Sequence, residues 1–295
     1  MAKEFEKFCE EMKVAFEKTK PEKMEVIFRN VTKQNHKELH GVILEVEGSA
    51  GAPTFYMEDL FPVYEQGSAA DEIASALIEF AQENVLDAMP GGIVLEDYGQ
   101  IRKNLGLMVL SQKKNIEYLK EMVYEAHEDL DLALIPIVFT NDHGRPGHLK
   151  VRKEFLEMWN VTEEEVIREA KENSPKILPA EAHQMCDPGS GEKPLDQAEM
   201  LVVTNPYCAG GAAAMFYPHV LEGIGQKLKR DYFVLPSSVN EFIVVPDEGQ
   251  SPAWLHCIVN AVNETLEQED VLSDLLYRYD RGTDKLSIAF EEYEE

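Results

Sequence analysis

The stretch LPSSVNEFIVVP, residues 235–246, sets two adjacent hydroxyls and a carboxylate between two apolar runs, and these are residue types from which a nucleophile can be built. A serine nucleophile needs a base within hydrogen-bond reach and a third group that orients the base. Ser238 has Glu241 three residues on, but the stretch holds no histidine and lacks the G-x-S-x-G elbow. Ser237, Ser238 and Asn240 are also favoured turn residues whose side chains bond nearby backbone, and they join two runs of β-branched and aromatic residues. A hairpin turn is therefore the expectation. Ser238 and Glu241 stand as the catalytic candidates, and Ser237, Ser238, Asn240 and Glu241 as binding candidates.

A second candidate is Asn205-Pro-Tyr-Cys-Ala-Gly-Gly, where Gly210 and Gly211 would let the backbone approach a ligand closely. It lacks the lysine and the Ser or Thr of a P-loop, and no helix follows directly to offer its N-terminus to a phosphate. A strand connection is expected there, with Asn205, Gly210 and Gly211 as binding candidates. His143 and His148, with Asp142, could ligate a metal, since imidazole and carboxylate are common ligands. They fall in a glycine and proline stretch that reads as a solvated loop without fixed geometry. His183 near Cys186 is a similar pattern. Glu163, Glu164 and Glu165 open a helix, where negative charge opposes the positive end of the macrodipole, and that placement accounts for them. Tyr277, Arg278, Tyr279 and Asp280 could stack on a ring, although alternation along a strand explains them equally well. No metal and no cofactor is expected.

The elements that must carry these residues follow from periodicity. Phe5, Phe8, Cys9, Met12 and Phe16 recur at helical spacing and stop before Pro21. Short β-rich runs at 24–31, 39–46 and 53–57, with turn residues including Gly48 and Gly51 between them, predict an antiparallel meander. A helix is predicted over 68–85, with Ser68 and Asp71 or Glu72 as its capping pattern. Residues 93–122 predict a helix, a buried strand near 105–110 and another helix. LDLALIPIVFT, residues 130–140, reads as a central strand in which Pro136 argues for a bulge or an edge. Thr162 with Glu165 forms a capping box for a helix ending near Asn173, before Pro175. Strands at 200–204, 212–217, 232–235 and 242–245 and helices at 218–228 and 251–266 follow. The last has Pro252 in its first turn. Arg281 and Gly282 mark a turn between two closing strands. CDPGSGEKPLDQ, residues 186–197, is the richest segment in proline, glycine and charge. The expected organisation is an N-terminal half, 1–185, a linker or mobile loop, 186–198, and a C-terminal half, 199–295. TFYMEDLFPVYEQ near residue 54 echoes AMFYPHVLEGIGQ near residue 214, so the halves carry a short internal likeness.

Composition bounds partners and compartment. With 295 residues and a hydrophobic fraction of 44%, the chain can bury a sizeable core. Against 28 Lys and Arg stand 55 Asp and Glu, a formal net charge of −27 that repels phosphate backbones and anionic lipid heads. Direct nucleic-acid and membrane binding are therefore disfavoured, and a basic protein or a small molecule is the expected partner. Cys9, Cys186, Cys208 and Cys257 form no C-x-x-C pair and read as small buried apolar groups in a reducing compartment. MAKEFEKFCEEMKVAFEK lacks the apolar core of a signal peptide, so a cytoplasmic location is expected.

W-N-V-T-E-E-E at 159–165, E-N-S-P-K-I-L-P at 172–179, V-T-N at 203–205, F-Y-P-H-V-L at 216–221, L-P-S-S-V-N-E at 235–241 and V-L-S-D-L-L-Y-R-Y-D at 271–280 together resemble a bacterial family, domain of unknown function 5688, of Gram-positive anaerobes. The resemblance runs from about Gly41 to the end of the chain, and the L-S-D ending is distantly similar to the YtpQ-type proteins. It implies an α+β cytoplasmic protein without an assigned activity. It also implies histidine where this chain has Asn240, which cannot act as a general base. The expectation is an α+β fold with mixed, mainly antiparallel sheets and packed amphipathic helices, in two halves that echo one another. Its function is expected to be non-enzymatic, through protein contacts or a small-ligand cleft. The alternatives are a serine-dependent hydrolase or transferase using Ser238 and an acidic decoy of a nucleic-acid-binding partner.

Overall fold

A computed structural model describes residues 2–47, 52–83, 93–142, 144–185, 199–236 and 238–290. The chain divides into two compact units, Met1–Leu95 and Glu96–Glu295. The strands on either side of the 186–198 segment, Glu181–Gln184 and Leu201–Thr204, pair with each other in one sheet of the second unit. The segment itself lies outside the described residues, as do Gly48 to Gly51.

In the first unit, helix α1 (Ala2–Thr19) precedes the meander β1 (Met24–Thr32), β2 (Glu38–Val46) and β3 (Thr54–Tyr56), in which β2 is central. Helices α2 (Met57–Glu65) and α3 (Ala70–Glu83) follow. The apolar stripe of α1 buries Phe8, Met12 and Phe16 against Val42 and Leu44 of β2 and Ile73, Ala74 and Ile78 of α3. Burying a phenylalanine or leucine in such a core contributes about 1.5–3 kcal/mol, so the spacing of these residues fixes the helix face. At the start of α3 the Ala69 amide donates to the Glu72 carboxylate, at 3.1 Å.

The second unit holds two antiparallel sheets. Helix α4 (Tyr98–Ile101) leads into β4 (Leu105–Ser111), followed by α5 (Ile116–Leu119), β5 (Glu125–His127), β6 (Leu132–Asp142) and β7 (Arg145–Lys150). β6 is the centre of this four-stranded sheet, pairing β4 on one side and β5 and β7 on the other. Helices α6 (Lys153–Trp159) and α7 (Glu163–Ile177) come next, then β8 (Glu181–Gln184) and β9 (Leu201–Thr204). After them come α8 (Val220–Leu228), β10 (Tyr232–Leu235), β11 (Phe242–Pro246), α9 (Pro252–Asn263), β12 (Leu276–Asp280) and β13 (Lys285–Phe290). The second sheet has the order β13-β12-β10-β11-β9-β8.

Several local expectations are corrected. Pro136 lies in a central strand with no bulge, since β4 and β6 keep one register from Leu105↔Val138 to Ser111↔Leu132. Its carbonyl accepts from the Val151 amide at 2.9 Å, on the side where β5 pairs only to Leu134 and β7 begins at Ile137. The missing N–H thus faces a gap between two partner strands, where no ladder bond is lost. α7 runs on to Ile177 with Pro175 inside it. The Leu178 amide still donates to Ser174 at 2.8 Å, and Leu178 is buried against Gly106 of β4. Residues 211–216 form a 3-10 helix instead of a strand, and the alanines there are small enough to bury against the sheet without the pleat of a strand. The echo with Thr54–Tyr56 therefore holds for the helices that follow and not for what precedes them. Arg145–Lys150, read as loop, is β7, whose partner β6 supplies the ladder that its Pro146 and Gly147 would not predict. Cys208 and Cys257 are exposed, not buried.

Candidate functional site

The structure brings the two loop candidates together. β10 and β11 pair in antiparallel register, so residues 236–241 do connect adjacent strands of a hairpin. Ser237 lies outside the described residues. Ser238 Oγ accepts from the Asn240 amide at 3.0 Å, an ST-type turn, and Ser238 bridges to Val271. Asn240 then locks the neighbouring loop: its Oδ1 accepts from the Gly210 amide at 3.0 Å, and its carbonyl accepts from Thr204 Oγ1 at 2.8 Å. Its Nδ2 donates to Asp270 Oδ1 at 3.4 Å. Asn205 folds its own loop, accepting from the Tyr207 amide at 3.0 Å and donating to the Ala209 carbonyl at 2.8 Å.

Gly211 explains why glycine stands at the junction. A Cβ there would lie 2.4 Å from the Asn240 carbonyl oxygen and 2.5 Å from Thr204 Oγ1, well inside contact distance. Gly210 has φ of 65°, the left-handed region that favours glycine. Gly211 therefore admits the chain's own backbone in place of a ligand, and Gly210 supplies the left-handed turn. No histidine or carboxylate hydrogen-bonds Ser238 Oγ among the described residues, and Glu241 is half-buried without a bond to it. The arrangement is a knot of mutually satisfied polar groups, and a buried polar group held this way gains its stability from being paired.

Among the described residues the metal candidates do not assemble. His148 is exposed on β7 opposite Phe139, His143 lies outside the described residues, and His183 is exposed on β8 beside Glu181. Among the described residues no group of three His, Cys, Asp or Glu side chains could hold a metal ion. Tyr277 and Tyr279 point into the core and Arg278 is clamped by Asp247 and Asp231, at 2.9 and 2.6 Å. These residues are structural.

A cleft elsewhere escaped the sequence. It has a volume of about 750 Å³ and lies along α7 in the second unit. The helix supplies Glu163, Glu164, Ile167, Arg168, Lys171, Glu172 and Pro175, spaced by the three and four residues that place them on one side. Tyr124, Glu125 and Pro218, from outside the helix, complete the lining. The capping box holds the acidic end of the helix in place, Thr162 Oγ1 accepting from the Glu165 amide at 3.3 Å and Glu165 accepting from the Thr162 amide at 3.1 Å. Lys171 Nζ donates to both carboxylate oxygens of Glu125 at 2.6 Å, tying helix to wall. Behind Glu125 stands His127, its Nε2 3.0 Å from Glu125 Oε1 and its ring tilted on Phe216 with centroids 4.5 Å apart. Burial holds the His127 imidazole below the usual histidine range, with Glu125 opposing and Lys171 reinforcing the shift.

The helix periodicity that placed α7 was visible, but its charged outer face reads the same whether it meets water or a groove. Only the fold, by setting β5 and Pro218 beside it, makes that face a cleft. Its volume falls within the roughly 300–1,000 Å³ of small-molecule sites.

A family model described as a family of unknown function, DUF5688, matches residues 5–281. The chain belongs to this family. The DUF5688 match spans both compact units and every cleft residue. No curated protein and no solved structure matches the chain. No helix among the described residues is long and apolar enough to cross a membrane.

Proposed function

We propose that this DUF5688 member is a non-enzymatic, cytoplasmic binding protein and that its ligand seat is the α7 cleft. The observation that carries the reading is the contrast between two places. The loops with suggestive sequence spend their polar groups on one another, whereas the α7 cleft offers apolar and charged side chains to a shared volume of about 750 Å³. Concave sites with an apolar lining and a few polar groups are where small ligands bind. The serine-dependent alternative lacks support because a hydroxyl without a base is a poor nucleophile at neutral pH.

The test is a thermal-shift screen of the full chain against fractionated metabolite pools, run beside Ile167→Trp, which fills the cleft. A ligand that binds only the folded state raises the melting temperature by mass action. The reading expects a pool that stabilises the parent protein and leaves Ile167→Trp unmoved. Equal shifts in both proteins, or none from any pool, would count against it.

A further inference from the structure

We infer that the α7 cleft takes an aliphatic amine, an ammonium group carried on an apolar chain; this rests on the ligand-seat reading above and narrows it to one chemistry. The cleft holds the carboxylates Glu125, Glu163, Glu164 and Glu172 against the cations Arg168 and Lys171. Glu125 and Lys171 neutralise each other through their two 2.6 Å bonds. Arg168 sits one turn from both Glu164 and Glu172, so three carboxylates face one guanidinium and the remaining balance is negative. The chain as a whole carries −27, and a field of that sign raises the local concentration of cations and lowers that of anions.

The apolar side chains set the rest of the ligand. Ile167 and Pro175 of the helix and Tyr124 from outside it give an alkyl chain a surface that a hydrated metal ion or a bare ammonium would not use. Glu163 and Glu172 are nine residues apart, on the order of 13 Å along the helix axis and half a turn around it, so the carboxylates flank the apolar strip from its two edges. A carboxylate ligand of the same length would meet three like charges and only Arg168 in its favour.

The experiment is isothermal titration of the full chain with hexylammonium chloride and with sodium hexanoate, at low and at raised salt. The inference expects hexylammonium to bind at least about tenfold more tightly than hexanoate, with affinity falling as salt rises. Combining Glu163→Gln, Glu164→Gln and Glu172→Gln should weaken hexylammonium on the order of tenfold, from pairs worth a few-fold each. Glu163 and Glu164 also stabilise the helix start, so Glu172→Gln alone keeps the test open if the triple variant melts, with about a twofold loss expected. Ile167→Ala should weaken it too. Hexanoate binding more tightly, and lost in Lys171→Met, would overturn the amine assignment and leave the cleft as a ligand seat. Hexylammonium binding that none of these variants changes would place it elsewhere and overturn the inference. Failure of both probes to bind at millimolar concentration would overturn the amine inference, while the seat would still be decided by the metabolite thermal-shift screen.

Discussion

Asn240 is the residue on which the 205–211 loop and the hairpin turn depend. Asn240→Ala removes the acceptor of the buried Gly210 amide, and leaving such a donor unpaired costs about 1–3 kcal/mol. Gly211→Ala forces a methyl into the Asn240 carbonyl and should cost at least as much, about 1–3 kcal/mol from overpacking. Urea denaturation measures both; values near zero would mean that the knot does not hold the loops. His127 gives a pH signature. Its folded pKa is lowered from 6.5, so below that value the unfolded chain binds a proton that the folded chain refuses, and stability falls as the pH drops. Denaturation midpoints at neutral and mildly acidic pH should therefore fall less steeply in His127→Gln than in the parent, and parallel slopes would contradict the assignment. At this scale the sequence was informative about the turn, because Ser238 and Asn240 act locally. It was silent on Asn240 as the partner of Gly210, a contact across thirty positions that no local pattern encodes.

Among the elements, α7 carries most of the account. Its inner face is fastened by Ser174, whose Oγ accepts from the Leu107 amide at 3.0 Å and pairs with the Tyr217 hydroxyl at 2.6 Å. β4 stands at the end of its sheet yet is buried along its length, so this bond satisfies an amide that no strand reaches. Ser174→Ala should lower stability by about 2 kcal/mol, from two buried groups left unpaired, and Ser174→Thr should recover part of it; a neutral alanine variant in calorimetry would refute the role. Elements with strong periodicity or caps were legible: α1, the meander, the Thr162 capping box, the β10–β11 hairpin and the closing strands. The misread elements share a cause. β5, β7 and β8 are short or polar strands with no apolar alternation of their own, although β5 and β7 pair with the adjacent β6, and the 3-10 helix at 211–216 has an apolar run that fits a strand equally well. Pro175 and Pro136 were read by their local penalties, which tertiary bonds offset.

For the whole molecule, the charge of −27 acts in two ways. It attracts cations to the surface, and it strains the compact state through self-repulsion. Screening it with sodium chloride, which at about 1 M shortens the Debye length to about 3 Å, should raise the melting temperature. Trp159 and Trp254 both lie in the Glu96–Glu295 unit, so their fluorescence reads that unit. Melting that salt leaves unchanged or lowers would mean that close ion pairs outweigh the net field. The sequence told of this field from composition alone, while the place where it meets an apolar surface needed the fold. The most direct measurement is an amide chemical-shift map of the full chain on addition of hexylammonium. Changes confined to residues 124–127, 163–174 and 219, next to Pro218, are predicted, and changes centred instead on residues 207–211 and 238–241 would contradict the cleft as the seat.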